Sequence, residues 1–482
     1  MDSDSNSRPP GRSALYELRL ALLAGTSGRP VVLPSARSQA PHGDIWTEMI
    51  RWTEMIDRNL LLNTFDDTAR LLARKGVARG DLEPIRDLLV RRKDIIRALD
   101  ELRAESNRKS AEIGKLYKQG ERARAEALKA ETAESKDRIK ELDGELREVE
   151  SEAENRLLYV PNLPDENSPE GLSEESNVIL RVASYDPADY SGRTYKPHWD
   201  LGDELGILDI ERAGKLSGSM TALFRKEGAR LVRALCQYGL DLHRDTYEEI
   251  VPPHFVRTEV FHGTGHLPKF ESDAYKLHGE ELWLIPTAEV PLTSLHRGEI
   301  VDFEELPRRY MAHTACFRRE AGSAGKDTRG TQRLHEFHKV ELVRLCAPEQ
   351  VQAEFDSLVA DAEKPLRELG LPYRVVDLCG GDLTFSSTRI WDLEVYSPGV
   401  DKWLEVSSVG IFSDFQARRG NSRFRRGKGK KPEFIHALNG SAIATPRMWA
   451  AIIEHGQEPD GSIRIPGPLV PYMGGMERIG PR

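Results

Sequence analysis

The chain has 482 residues, 30% of them charged and 7% aromatic, which allows two or three domains with a buried core. No apolar run reaches the roughly 18 to 20 residues that cross a bilayer, and four widely spaced cysteines argue against a disulfide framework or a structural zinc site, so we expect a soluble protein from a reducing compartment. The net charge of -9 excludes a protein that coats nucleic acid everywhere, but it allows local contact.

Residues 1–54 differ in composition from the rest of the chain. Ser, Pro, Arg and Gly dominate, the pentapeptide WTEMI occurs twice, and the segment ALYELRLALLAG is too short and too charged for a signal peptide. We expect a disordered leader or the product of an upstream start, with Met55 beginning the folded body. An organelle address is the alternative.

Residues 55–159 have the composition of long helices. Between Pro84 and Leu158 there is no further proline, and Lys, Arg, Glu and Ala, which favour helices, are abundant. The pattern predicts two antiparallel helices of about 35 residues, each roughly 50 Å long, that reverse within GKLYKQGERAR. A dimerising coiled coil is the alternative. Apolar residues at three- and four-residue spacing form the two stripes: Leu88, Ile95, Leu99, Leu102, Ile113 and Leu116, then Ile139, Leu142, Leu146, Val149, Ala153 and Leu157.

Residues 160–177, rich in Pro, Asn and Ser, predict a linker. Over residues 178–482, short apolar runs such as LWLIPT, RRYMAHTACF, KVELVRLC and LEVSSVGIF alternate with polar loops. They predict strands joined by turns and interrupted by helices, one of them at 348–369. Neither a GxxxxGK[ST] nor a GxGxxG phosphate loop occurs, so ATP, if it binds, must be held in another way.

The stretch FRREAGSAGKDTRGTQRLHEFHKVE, residues 317–341, combines charged and aromatic residues in a predicted hairpin. Alternate residues of a strand share one face, so we expect Arg318, Arg333, Phe337 and Glu341 to point into one cleft. Guanidinium groups suit phosphate because each can make two parallel charge-assisted hydrogen bonds, and an aromatic ring offers a stacking surface for a base. A salt-bridged surface hairpin is the alternative.

A second stretch, EVSSVGIFSDFQARR at 405–419, interleaves charged and polar side chains with apolar ones. The alternation is typical of a half-buried strand, and the polar residues also suit a ligand site. The residues alone leave both interpretations open.

These motifs resemble the class II aminoacyl-tRNA synthetases, and among them the bacterial seryl-tRNA synthetase family. The resemblance implies an α+β fold, in which an antiparallel-sheet catalytic domain (178–482) follows a long helical hairpin, the coiled-coil arm. It also implies a homodimer formed around residues 228–253 and an arm that binds tRNA(Ser) by shape more than by base identity. The strings that carry the resemblance occur in order along most of the chain: MIDRNLL, KPHWDLG, GTGHLPKF, IPTAEVPLT, EAGSAGKDTRG, DFQARR, HALNGS and PYMGG.

The resemblance also implies an activity, carried out in the cytoplasm. ATP and L-serine would form seryl-adenylate with release of pyrophosphate, and serine would then pass to tRNA(Ser). Arg318 and Arg447 would be catalytic, and Glu405 and Ser408 would hold Mg²⁺, a hard cation that prefers oxygen ligands. The implied ATP-binding residues are Arg318, Arg319, Glu320, Arg333, Leu334, Phe337, Glu405, Val406, Ser407, Ser408 and Arg447. The implied serine-binding residues are Thr287, Ala288, Glu289, Arg318, Glu341, Asn439 and Ser441.

Two stretches depart from the family pattern. Val409, Gly410 and Ile411 stand where the family usually has Cys-Ser-Asn, and SAIATPR at 441–447 replaces a glycine-rich string. Three hypotheses follow: a housekeeping seryl-tRNA synthetase, a divergent paralogue used in antibiotic biosynthesis or self-resistance, or an inactive tRNA-binding protein. Retention of the implied catalytic residues argues against the third. The basic run at 418–431 is expected to contact the acceptor stem of the tRNA or to form a solvated loop.

Overall fold

The computed structural model describes residues 56–321 and 329–481. The predicted leader therefore lies outside the described residues, as does segment 322–328 of the glycine-rich loop. Across the described residues, no helix is both long enough and apolar enough to cross a membrane.

The described chain begins with a helical arm. Two short helices, α1 (Arg58–Asn63) and α2 (Phe65–Ala73), precede two long ones, α3 (Arg79–Lys118, 40 residues) and α4 (Arg122–Leu157, 36 residues). The chain reverses at Gly120, whose φ of 81° is a conformation that glycine adopts without strain. The predicted hairpin is thus confirmed within one chain, with its reversal inside the predicted segment.

Two clusters of apolar side chains hold the arm together. Along the shaft, Ile95 and Leu99 of α3 pack against Leu142 and Val149 of α4, which are residues of the two predicted stripes. Arg103 of α3 also donates to Asp143 of α4 over 2.8 Å. At the base, both long helices pack against α1 and α2 in a separate core: Ile56, Leu61, Phe65, Ala69, Leu72, Leu82, Ile85, Leu89, Ala153, Leu157 and Val160.

The rest of the described chain combines helices with a large sheet. Three of its helices are long: α7 (Lys226–His243), α10 (Val351–Glu368) and α12 (Thr445–His455). The predicted helix at 348–369 is α10, preceded by a single 3₁₀ turn. The shorter helices are α5 (His198–Glu204), α6 (Ile210–Ser217), α8 (Thr258–Gly263), α9 (Glu289–Thr293) and α11 (Phe415–Gly420).

Eight strands form the main sheet in the order β1-β9-β10-β11-β14-β8-β7-β2. Neighbouring strands are antiparallel except β2 and β7, which are parallel. These strands are β1 (Val178–Ala183), β2 (Glu248–Glu249), β7 (Arg308–Phe317), β8 (Glu336–Cys346), β9 (Tyr373–Asp377), β10 (Arg389–Ser397), β11 (Lys402–Ser413) and β14 (His436–Ala444). The smaller sheets contain β3 (Phe255–Arg257), β4 (Tyr275–Lys276), β5 (Leu282–Leu284), β6 (Ile300–Asp302), β12 (Arg423–Arg425), β13 (Glu433–Phe434), β15 (Ile463–Arg464) and β16 (Arg478–Ile479).

The two faces of the main sheet differ in chemistry. One face packs against α7, α10 and α12 and forms the largest apolar core, to which Val340, Leu342 and Ile443 belong. The other face carries polar residues on neighbouring strands, because directly opposed residues share a face: Asp392 lies opposite Ser408, and Ser441 lies opposite Glu341. The polar face of the sheet is therefore the candidate location of a functional site.

The predicted linker packs closely rather than spanning a gap. Asn162 is buried and donates to the carbonyl oxygens of Ser386 and Phe412 over 2.9 Å each, and Ser168 is buried as well. One 3₁₀ turn, Glu174–Ser176, is its single helical element. The domain boundaries after residues 54, 159 and 177 remain predictions.

Candidate functional site

Glu341 lies at the centre of the polar face of the sheet. It is 1% exposed, and its carboxylate forms a buried ion pair with Lys339, two residues earlier on β8. Thr287 and Ser441 donate to its Oε2 from hydroxyl oxygens 3.4 and 3.3 Å away. This arrangement places a carboxylate among hydroxyl groups, as a pocket for a small ammonium or hydroxyl compound requires.

A second buried carboxylate, Glu289, opens the short helix α9. Its Oε1 accepts from Gln416 Nε2 over 2.6 Å, and its backbone amide donates to Thr287 Oγ1 over 3.2 Å. Asn439 lies beside it and interacts with its carboxylate, but the buried Nδ2 of that amide makes no hydrogen bond of good geometry with the described residues. A buried donor without a good hydrogen bond is costly, so Asn439 is suited to donate to a bound ligand.

Burial dominates the electrostatics of both carboxylates. It raises the pKa of Glu341 and of Glu289, while the nearby Lys339 ammonium opposes the rise at each. The two buried carboxylates therefore share one buried ammonium, and the Arg318 guanidinium is a further cation close to Glu289.

We expect the Michaelis constant for an ammonium substrate to depend on pH through these carboxylates. A protonated Glu341 cannot pair with an ammonium, so the constant should rise as pH falls, by roughly tenfold per unit well below the raised pKa. The rise should begin above 4.5, the ordinary value for Glu, because the pKa is shifted upward. Initial rates from pH 8 down to 4.5, the ordinary value for Glu, measure it, with the exposed Glu281→Gln as control. A constant that stays flat across this range would contradict the assignment.

Arg318 follows β7 and lies beside this pocket. Its guanidinium is stacked 5.2 Å from the centre of the Phe337 ring, and its Nε donates to the carbonyl oxygen of Pro286 over 3.3 Å. The two Nη nitrogens make no hydrogen bond within the described residues, which leaves four N–H groups for a ligand. Phe337 and Glu341 share a face of β8, and Arg318 lies over Phe337. The cleft of Arg318, Arg333, Phe337 and Glu341 stays a prediction.

Arg333 and Arg447 are held by contacts of their own. Arg333 Nη1 pairs with Glu320 Oε2 over 2.9 Å, across the two ends of the glycine-rich loop. Arg447, in the first turn of α12, donates from Nη1 to the carbonyl oxygen of Glu405 over 2.5 Å and lies 3.5 Å from its carboxylate. Both arginines border the same face of the sheet, and ligand phosphates would have to draw them from these partners.

Five of the proposed site residues do not present a side chain to this face. Ser407 lies opposite Leu393 of the main core, and its hydroxyl donates to the carbonyl oxygen of Ser441 over 2.7 Å. Val406 is 4% exposed and packs in the main core, at a bulge where Leu393 and Glu394 of β10 face Ser407 and Glu405. Leu334 and Ala288 are also buried apolar residues, at 3% and 0% exposure. Arg319 is exposed, and its backbone amide donates to the carbonyl oxygen of Asp273 over 2.9 Å.

Three oxygen-bearing side chains, those of Asp392, Glu405 and Ser408, lie near one another on β10 and β11. The Ser408 hydroxyl donates to Asp392 Oδ1 over 2.6 Å, and burial together with the nearby Glu405 carboxylate raises the pKa of Asp392. Glu405 itself is 47% exposed and reachable. These oxygen donors fit Mg²⁺, although the described residues contain no group of three or more His, Cys, Asp or Glu side chains able to hold a metal alone. Phosphate and water would have to supply the remaining ligands.

The departure at Val409, Gly410 and Ile411 has a simple packing explanation. Val409 and Ile411 are buried in the main core on the opposite face from the site. Gly410 lies on the site face, where a Cβ atom would come within 2.9 Å of the Phe412 ring and 3.5 Å of Ile390. Phe412 thus covers the space that a side chain at 410 would need.

Replacing Gly410 with serine is expected to lower the free energy of unfolding by about 1–3 kcal/mol, because the buried Phe412 ring must move. Phe412→Ala opens the space beside Gly410. In that background, adding Gly410→Ser should cause little further loss of stability. Urea unfolding of the single and double variants measures the coupling. Additive losses would show that Phe412 is not what excludes a side chain at 410.

Four site residues were missed by the sequence interpretation: Lys339, Asp392, Gln416 and His266. His266 stands in GTGHLPKF, and its Nδ1 lies 2.9 Å from Thr264 Oγ1, which donates to the carbonyl oxygen of Phe261. Burial next to Arg318 and Lys339 lowers the pKa of His266 to about 3, so the ring is neutral at neutral pH. The charged pattern KVE and the string GTGH were visible, but their meaning depends on which strands lie side by side.

Two family models match the chain. One, described as the seryl-tRNA synthetase N-terminal domain, matches residues 55–164. The other, described as the tRNA synthetase class II core domain (G, H, P, S and T), matches residues 269–456.

Similar whole proteins are found among both sequences and structures. A serine–tRNA ligase of Listeria monocytogenes serotype 4a is 46% identical over 431 residues, which cover 88% of this chain and 99% of the relative. A serine–tRNA ligase of Pelobacter propionicus is 47% identical over 427 residues, which cover 88% of this chain and 100% of the relative. A crystal structure of seryl-tRNA synthetase from Pyrococcus horikoshii complexed with ATP has a TM-score of 0.84 and 35% identity, covering 89% of this chain and 100% of that one.

Proposed function

The chain belongs to the seryl-tRNA synthetase family, and on that basis we propose that it activates L-serine with ATP as seryl-adenylate and then transfers serine to tRNA(Ser). The observation that carries the proposal is the pocket in which Glu341, the buried Asn439 amide and the stacked Arg318 meet. Serine offers an ammonium, a hydroxyl and a carboxylate, and these groups complement them.

Different pocket residues contact different groups of the serine molecule. Glu341 accepts from the serine ammonium or hydroxyl, with Thr287 and Ser441 beside it. Asn439 donates to a serine oxygen, since its amide nitrogen makes no hydrogen bond of good geometry with the described residues. The pocket thereby replaces the hydrogen bonds that serine loses on leaving water.

The activation step is an in-line attack of the serine carboxylate on the α-phosphorus of ATP, which forms a P–O bond and breaks the bond to pyrophosphate. The protein has mainly to position the two reactants and to stabilise negative charge on phosphate oxygens. Arg318 donates to the α-phosphate and the serine carboxylate, and Phe337 stacks on the adenine. Arg333 and Arg447 bind the outer phosphates, and Glu320 orients Arg333 or meets the edge of the base.

Magnesium is part of the proposal because the oxygen donors on β10 and β11 fit it. Glu405 and Ser408 would hold the ion, which supplies charge neutralisation to the ATP phosphates when it is bound. The structure described as complexed with ATP supports the nucleotide part of the proposal.

A cytoplasmic homodimer is proposed as the working form. The support is exposed apolar residues in and next to the predicted dimer region: Val251 is 87% and Phe255 is 49% exposed. At the opposite edge of the main sheet, β1 leaves Val178, Ile179 and Val182 about half exposed. Exposed apolar surface often marks an interaction site.

Pyrophosphate exchange with each amino acid, followed by charging of tRNA(Ser), tests the function. We expect exchange with serine and efficient charging. Exchange with serine but no charging would contradict transfer to tRNA, and no exchange with any amino acid would contradict the activity altogether.

A further inference from the structure

The short helix α11 lies between the serine pocket and the base of the arm. Towards the pocket, Gln416 Nε2 donates to Glu289 Oε1 over 2.6 Å and to the carbonyl oxygen of Thr264 over 3.2 Å. Gln416 is 2% exposed, so these bonds hold Glu289 in a place that solvent does not reach. One side of α11 therefore fixes a carboxylate of the pocket.

The other side of α11 contacts the arm. Arg418 Nη2 lies 3.3 Å from Asp57 Oδ2, the residue that caps α1. Arg419 is 3% exposed, donates from Nη2 to the carbonyl oxygen of Leu158 just after α4 over 3.3 Å, and stacks 4.3 Å from the Phe415 ring. The string DFQARR is thus a junction between the two parts of the molecule.

The junction is closed by a second contact from the loop between α2 and α3. Lys75 Nζ donates to the carbonyl oxygens of Thr384 and Ser387 over 2.8 and 2.6 Å, in the loop that precedes β10. Among residues 56–321 and 329–481, no carboxylate contacts this ammonium, and burial lowers its pKa to about 7. Two directional bonds to backbone oxygens fix the arm at a point that α11 does not reach.

Geometry gives this junction its importance. With 40 residues, α3 is about 60 Å long, so a rotation of roughly 10° at the base would move the tip by about 10 Å. A tRNA that binds the tip and presents its end to the pocket must match both places at once. Small changes at the base therefore have large effects on where the tRNA end arrives.

We propose that α11 and Lys75 form a brace that sets the orientation of the arm relative to the serine pocket. This inference rests on the proposed function. Lys75, Arg418 and Arg419 are positioning residues for tRNA, and Gln416 is a positioning residue for serine. Residues with the two roles lie within one turn of α11. Pyrophosphate exchange measures the serine role, and charging measures the tRNA role.

The test compares Lys75→Met with Gln416→Met. Lys75→Met should raise the Michaelis constant for tRNA(Ser) in charging by tenfold or more and leave serine-dependent pyrophosphate exchange within twofold of wild type. Gln416→Met should raise the Michaelis constant for serine in exchange by tenfold or more. Lys75→Arg should keep the Michaelis constant for tRNA(Ser) close to the wild-type value, because the cation remains. The exposed Lys402→Met serves as the control.

Equal losses of exchange and charging in Lys75→Met would indicate a general folding defect and would overturn the brace, as would no change in either. A direct measurement keeps the inference independent of activity. The four native cysteines are buried, so spin labels can be placed at Lys140→Cys on the arm and Asp245→Cys on the catalytic part. The distance distribution between the labels should broaden in Lys75→Met, and an unchanged distribution would overturn the proposal even if the wild-type protein showed no synthetase activity.

Discussion

Arg318→Ala is expected to lower the rate of serine-dependent pyrophosphate exchange by about 100- to 1000-fold, the usual cost of removing one donor to transition-state charge. The guanidinium lies over Phe337 with its Nη nitrogens free of hydrogen bonds to the described residues, so alanine removes ligand contacts and little else. The Michaelis constant for ATP should change less than kcat, because negative charge on the α-phosphate grows during the attack. Single-turnover formation of the adenylate measures the chemical step directly.

Two further variants make the Arg318 result specific. Arg318→Lys keeps the charge but loses the planar pair of donors, so an intermediate loss is expected. The exposed Arg464→Ala removes an arginine outside the predicted site and the predicted dimer region and should leave exchange unchanged. Normal exchange in Arg318→Ala would remove this residue from the site and with it the predicted cleft of the hairpin.

The arm was predictable because its pattern is local. The stripes of α3 and α4 recur every three or four residues, and each stripe packs against the other after a single reversal. The prediction of about 35 residues underestimated the length of α3, which has 40 and continues through Gly114 to Lys118. A long helix tolerates one exposed glycine because its neighbours still pack. Gly120, two residues further on, makes the turn.

The strands were predictable, but their order was not. RRYMAHTACF is β7 without change of boundary, and LEVSSVGIF lies inside β11. Nothing in the chain indicates that β14 inserts between β11 and β8, because that pairing joins residues distant in sequence. The family resemblance implied an antiparallel sheet. The structure shows the order of its strands and which residues lie opposite each other.

Motifs name candidate site residues, but the register of the strands decides which of them share a face. The bulge at Val406 changes which residues of β11 share a face, so Val406 packs in the core while Glu405 and Ser408 stay with Asp392. Asp392 escaped notice because its role depends on the strand opposite. Gln416 escaped notice because DFQARR looked like framework, whereas it joins the pocket to the arm.

Shortening the arm is expected to separate the two halves of the reaction. Replacing residues 104–138 with a short Gly-Ser turn leaves the shaft contact of Leu99 with Leu142 and the whole base core in place. It removes exposed basic side chains at the tip that form no ion pair with other described residues: Arg108, Lys115, Lys118 and Arg122. Exchange with serine needs no tRNA and should stay within twofold of wild type, while kcat/KM for charging should fall by about 100-fold or more, since each phosphate contact contributes to affinity.

Salt dependence distinguishes loss of phosphate contacts from loss of shape. A variant with glutamine at those four basic positions keeps both helices, and its Michaelis constant for tRNA should rise less steeply with salt than that of the wild type, because fewer counterions are released on binding. The shortened protein should show both the flatter salt dependence and a further loss from the missing shape contacts. Unchanged charging by the shortened protein would show that the arm does not hold tRNA. A parallel loss of exchange would show instead that the distal arm supports the catalytic fold, which its separate packing clusters argue against.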